Sequence, residues 1–124
     1  IVKVSTASGR AARRSSVIAA VSSAAGAVPC DCQKGVAEAD GQMVSAGRLE
    51  PVPNTDVAGI WGGATLKPWR GRGIYRALTA ARARSALRLG RTIIHSDSTE
   101  FSRPILERSG FLKVSTTTPY EWRR

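Results

Sequence analysis

Histidine occurs once, at His95, and cysteine twice, at Cys30 and Cys32. A site built from several histidines is therefore excluded. One residue between the cysteines is too few for the two-residue spacing of a zinc knuckle or a redox motif. A disulfide framework needs more cysteines than this, so two free thiols in a reducing, cytoplasmic compartment are expected. No apolar run approaches the ~20 residues that cross a bilayer, which excludes an integral membrane helix. Six prolines and twelve glycines are too sparse for a collagenous or low-complexity chain. Acidic residues are scarce as well: nine, against nineteen Lys and Arg, leave a net charge of +10. Such an excess calls for an anionic partner.

What is present is ordinary globular composition, with 42% hydrophobic and 23% charged residues in 124, enough for one domain. The positive charge is concentrated in the second half. Lys67, Arg70, Arg72, Arg76, Arg82, Arg84, Arg88 and Arg91 follow one another with no acid between them. An anion should bind in that window. The chain starts at Ile1, which suggests a fragment or a processed start. Serines dilute the apolar stretch from Ser15 to Ala27 too strongly for a secretion signal.

Residues 1–35 are poorly specified. Ile1 to Ser5 alternates and suits an edge strand, and Ala12, Val17, Ala20, Val21 and Ala24 have helix-compatible spacing over Gly9 to Ala25. From Val36 the signals sharpen. Val36–Asp40, Gly41 and Gln42–Ala46 predict a hairpin turning on Asp40-Gly41, its second strand running toward Leu49. Val57 to Leu66 reads as a buried central strand. Its Gly62-Gly63 pair marks a bulge or a close approach to the backbone. A loop through Arg70-Gly71-Arg72-Gly73 opens a helix whose apolar stripe is Ile74, Ala77, Leu78, Ala81, Ser85 and Leu89, closed by Gly90. A short strand over Thr92 to Ser96, a short helix over Ser102 to Arg108 and a last pair of β segments, Phe111 to Ser115 and Thr118 to Trp122, complete the expectation. The order β-β-β-α-β-α-β-β from Val36 is an α/β (α+β) domain over 36–124, with a mixed, mainly antiparallel sheet and helices on both faces.

The chemistry lies at the strand-to-helix junction. A helix start leaves backbone N–H groups unpaired and carries about half a positive charge. Glycines let an anion approach that backbone, and arginines add fork-shaped donors. Arg70, Gly71, Arg72, Gly73 and Ile74 thus form a socket for a phosphate or diphosphate. It is not a Walker loop, since no Gly-Lys-Ser/Thr follows, and the dinucleotide GxGxxG spacing fails at Arg76.

The stretch GIWGGATLKPWRGRGIYRALTAARARSALRLG, with SRPILERSGF after it, resembles the GNAT superfamily of N-acetyltransferases that use acyl-coenzyme A. Its Arg/Gln-x-x-Gly-x-Gly/Ala motif falls on Arg70 to Tyr75, and its Gly-Phe landmark on Gly110-Phe111. The resemblance implies acetyl-coenzyme A as co-substrate, a primary amine of a small molecule or protein as acceptor, no metal, and room for a homodimer. It implies that the amides of Arg70, Gly71, Arg72, Gly73, Ile74 and Tyr75 face the diphosphate. Ala64, Thr65 and Leu66 would pair with the pantetheine arm. Two positions depart from the family: Tyr75 stands where Gly or Ala is usual, and Leu106 where a proton-donating Tyr is usual. Ser102, Tyr75 and Tyr120 are donor candidates by chemistry alone, and Glu50, Asp97 or water could accept the amine proton.

The blander readings weigh against some residues. Arg82, Arg84, Arg88 and Arg91 read as a solvated helix face, Trp61 and Trp69 as packing, Trp122 as a core plug, and His95 with Asp97 as a solvent-facing pair. Two other function classes stay open: a remnant that binds coenzyme A without turnover, and a basic nucleic-acid-binding domain. The second is disfavoured because it gives the glycines no purpose.

Overall fold

The computed structural model describes residues 2–3, 18–23 and 32–123. These residues form six strands, β1 (Val2–Lys3), β2 (Ile18–Ser23), β3 (Gln33–Ala39), β4 (Gln42–Pro51), β5 (Val57–Thr65) and β6 (Ile93–His95), two α-helices, α1 (Ile74–Arg88) and α2 (Arg103–Glu107), and a single 3-10 turn, Lys67–Trp69. One sheet holds all six strands in the order β1-β6-β5-β4-β3-β2. Neighbours are antiparallel except β5 and β6, which run parallel across the α1 crossover. The mixed, mainly antiparallel α/β sheet is the one the sequence predicts.

The hairpin turns where Asp40-Gly41 allow positive φ, 51° and 74°. α1 ends before Gly90, at φ 72°. β4 and β5 pair with a register shift between Ala46 and Arg48: Ala46 faces Ala64, but Arg48 faces Trp61. Gly47 therefore stands opposite both Gly62 and Gly63, a bulge made possible by the positive φ of Gly62, 58°.

Four expectations are corrected. The segment Ile18–Ser23 is a strand paired with β3, not part of a helix; the rest of the 9–25 expectation lies outside the described residues. A ladder with β3 outweighs a marginal, serine-diluted helix propensity there. The final β pair is not formed: residues 111–123 have no regular structure. The edge of β6 that could receive it is occupied by β1. Trp122, expected as a core plug, is 87% exposed. Finally, both helices pack on one face. Leu49 faces Ile60, and Ala58 faces Ile94, so these side chains share a side of the sheet. Ala86 of α1 and Leu106 of α2 join them in one apolar cluster. A second cluster, Ala37, Ala39, Val44 and Ile74, holds the start of α1 against the β3–β4 hairpin.

The free-thiol expectation also changes. Cys32 is disulfide-bonded, and the chain's other cysteine, Cys30, lies outside the described residues. No helix among the described residues is long and apolar enough to cross a membrane.

Candidate functional site

A cleft of about 910 Å³ opens where β5 ends and α1 begins, with α2 as its far wall. Its origin is topological. β6 pairs with β5 only along Val57, Ala58 and Gly59. Beyond Gly59, no described strand pairs with the β6-facing edge of β5, although β4 still holds the other edge as far as Thr65. The unpaired edge leads directly to the loop and the helix start.

That helix start is bare. Gly73 caps α1 in the left-handed region, φ 77°, with no side-chain cap and no acid in the first turn. The first intrahelical bond runs from the Ala77 amide to the Gly73 carbonyl at 3.0 Å, so the amides of Ile74, Tyr75 and Arg76 are left over. Gly71 is also left-handed, φ 73°, and a Cβ at Gly71 or Gly73 would meet nothing within 4 Å. The space in front of these amides is therefore open. Arg70, Arg76, Arg82 and Arg108 line the cleft against a single acid, Asp97. Unpaired amides, the helix dipole and an excess of guanidinium give the cleft the electrostatics that suit an anion.

Of the residues singled out from sequence, the cleft brings together Ala64, Thr65, Arg70, Gly71, Gly73, Ile74 and Tyr75. Leu66 and Arg72 are not in its wall. Leu66 donates its amide to the Val44 carbonyl at 2.9 Å, and the Arg72 guanidinium lies over the Trp69 ring, 4.8 Å from its centroid. Arg70 donates from Nε to the Thr65 carbonyl at 3.0 Å, tying the loop to the strand end. Ser45 Oγ bonds the Ala64 carbonyl at 2.7 Å and lies 2.9 Å from Thr65 Oγ1, which fixes the same strand end from β4. Tyr75 is half-buried with its ring against Gly63. The bulky residue in the motif's last position thus lies along the cleft wall and leaves the loop open.

Arg82 is the main miss. Expected on a solvated face, it is 1% exposed. The buried face of α1 is Ile74, Leu78, Thr79, Ala81, Arg82, Ser85 and Ala86, while Ala77 is exposed. Arg82 fits because Gly35 and Gly47 leave room beneath it. Burial lowers the affinity of its guanidinium for a proton, and the Tyr75 hydroxyl partly offsets this through charge and hydrogen bonding. The one available signal was the pair of glycines on adjacent strands, which only strand pairing brings opposite each other. Leu106, the position of the usual proton donor, is 3% exposed and part of the apolar cluster. α2 presents Ile105 to the cleft, and its flanking residues Ser102 and Arg108 line it as well. Tyr120 is 92% exposed and does not line it. Among the described residues, no group of three or more His, Cys, Asp or Glu could hold a metal ion.

No protein-family model and no curated relative matches the sequence. Solved structures do match. The aminoglycoside N-acetyltransferase AAC(6')-Iy in complex with CoA superposes with a TM-score of 0.64 at 23% identity, over 75% of this chain and 77% of that one. An acetyltransferase of Trypanosoma brucei gives 0.65 at 21%, over 73% and 69%. Glucosamine-6-phosphate N-acetyltransferase of Arabidopsis thaliana gives 0.65 at 12%, over 74% and 67%. The chain has the fold of these acetyltransferases, the fold that the sequence resemblance implied.

Proposed function

We propose, with that fold as premise, that this chain transfers an acetyl group from acetyl-coenzyme A to a primary amine of a small molecule or protein. The observation that carries the reading is the continuity of two features. The unpaired edge of β5 runs into the bare, glycine-lined start of α1. An extended arm bearing amides suits the first, and a diphosphate suits the second. The diphosphate would rest on the amides of Ile74, Tyr75 and Arg76, with Arg70 beside it. Ala64 and Thr65 would offer backbone groups to the pantetheine. The amine then attacks the thioester carbonyl, the tetrahedral adduct collapses, and coenzyme A leaves as the thiol. These residues supply orientation and electrostatic stabilisation of the developing charge. All of them fall within 36–124, which we take as the acyl-coenzyme A-binding domain, acting without a metal.

Calorimetry with acetyl-coenzyme A, free coenzyme A and a DNA oligomer tests this. Both coenzymes should bind, and Gly73→Trp should abolish binding by filling the open space before the amides. Binding of the oligomer alone would replace the reading with a nucleic-acid one. One observation favours a second reading. Because Leu106 is buried in the core, the usual donor is gone, as in a protein that binds coenzyme A without turnover. Thiol release over an amine panel separates the two.

A further inference from the structure

Two polar side chains of α1, Tyr75 and Arg82, line the cleft away from the bare helix start that suits a phosphate. Tyr75 folds its ring back onto β5. A Cβ built on Gly63 would lie 2.5 Å from ring Cε2 and 3.3 Å from the hydroxyl oxygen. The ring therefore takes up the space that only a glycine at 63 leaves. Seven residues along, and so on the same side of the helix, Arg82 projects into the same region. Its Nη1 donates to the carbonyls of Arg48 at 3.3 Å and Trp61 at 3.5 Å, and its Nη2 to Thr79 Oγ1 at 3.3 Å. Its Nε is buried without a partner. No carboxylate among the described residues forms an ion pair with it. A guanidinium withheld from water without a counter-charge is unfavourable. Both residues line the same cleft, and the Tyr75 hydroxyl is the group whose charge and hydrogen bonding favour the charged form of Arg82.

The placement matches the direction of the substrate. An arm that leaves the phosphates at the start of α1 and pairs with Ala64 and Thr65 leads its far end back along β5 to Gly62 and Gly63. The Tyr75 hydroxyl lies beside Gly63. We infer that Tyr75 is the catalytic residue that gives its proton to the departing thiolate, with Arg82 as the fixed counter-charge of the phenolate that remains. This rests on the transferase reading above. In the step, the amine nitrogen bonds the carbonyl carbon and the C–S bond breaks. The sulfur takes the bond pair and then the Tyr75 proton. The phenolate recovers a proton from water at the open side of the cleft, and the surplus proton on nitrogen leaves to water. The donor that α2 lacks, because Leu106 points into the core, is thus supplied from the first turn of α1.

The test is Tyr75→Phe, assayed with acetyl-coenzyme A and an amine that the unaltered protein acetylates. Turnover should fall by about 10², while coenzyme A affinity by calorimetry stays as it was; the melting temperature should drop slightly, because Arg82 loses the hydroxyl that offsets its burial. The solvent deuterium isotope effect on kcat should change with the loss of the donor. Gly63→Ala is the second variant. Its methyl must push the ring aside, and it should reproduce the same loss. Tyr75→Phe with kcat within twofold of the unaltered protein overturns the inference and leaves the transferase reading standing. So does a loss of kcat matched by an equal loss of coenzyme A affinity, since that makes Tyr75 a binding residue. A protein that binds acetyl-coenzyme A and releases thiol to no amine overturns the transferase reading, and this inference with it.

Discussion

Gly47→Ala puts the geometry beneath α1 to a quantitative test. Gly47 sits on β4 at the bulge and has no positive φ, so its backbone accepts alanine without strain. The cost is steric. The new Cβ would lie 2.7 Å from Arg82 Nη1 and 3.0 Å from its Cζ. Arg82 is 1% exposed, and its guanidinium can leave the new methyl only by giving up its present partners. Shifting the guanidinium sacrifices its bonds to the carbonyls of Arg48 and Trp61, which are long at 3.3 and 3.5 Å. Bonds to charged groups contribute about 1.5–3 kcal/mol each, and the long geometry argues for the lower end. The expected destabilisation is therefore about 3 kcal/mol. At about 4 °C per kcal/mol for a domain of this size, the melting temperature followed by circular dichroism should drop by about 12 °C. Gly35→Ala is the internal comparison. It meets Leu78 Cδ1 at 3.0 Å and Arg82 Cγ at 3.3 Å, both aliphatic and able to give, so about 1 kcal/mol is expected. In an Arg82→Met background the cost of Gly47→Ala should shrink to below about 1 kcal/mol, because the guanidinium is gone. Equal costs in both backgrounds would refute the clamp.

Leu106→Tyr, which restores the usual donor to α2, should destabilise the fold by about 1–3 kcal/mol through overpacking and should not raise the rate of thiol release, because position 106 faces the core. Leu106→Ala should cost about 2–5 kcal/mol in chemical denaturation. Arg70→Ala should weaken coenzyme A binding in calorimetry more than Arg72→Ala does, since Arg70 lines the cleft and Arg72 lies on Trp69. An equal effect would return Arg72 to the site. Acetyl-coenzyme A affinity should fall severalfold between about 0.05 and about 0.5 M NaCl, as the field of the surrounding arginines is screened. A salt-independent affinity would argue against the diphosphate as the anchoring group.

Local signals were legible along the chain because their causes are local. Asp40-Gly41 takes positive φ and turns a hairpin, Gly73 and Gly90 bracket α1, and Gly62 carries the bulge. Each of these is a property of one or two residues, and together they mark the junction between β5 and α1. The free edge of β5 was legible only through resemblance, since it depends on where β6 stops. Three other features were decided by partners distant in sequence. Ile18–Ser23 became a strand because β3 offered a ladder, and Phe111 onward did not because the neighbouring edge was occupied by β1. Arg82 went inside because two glycines, twelve residues apart on paired strands, opened a space the size of its side chain. The charge of a residue is written in the sequence. Whether water reaches it depends on which backbone lies across from it, and only the packed sheet and helix decide that.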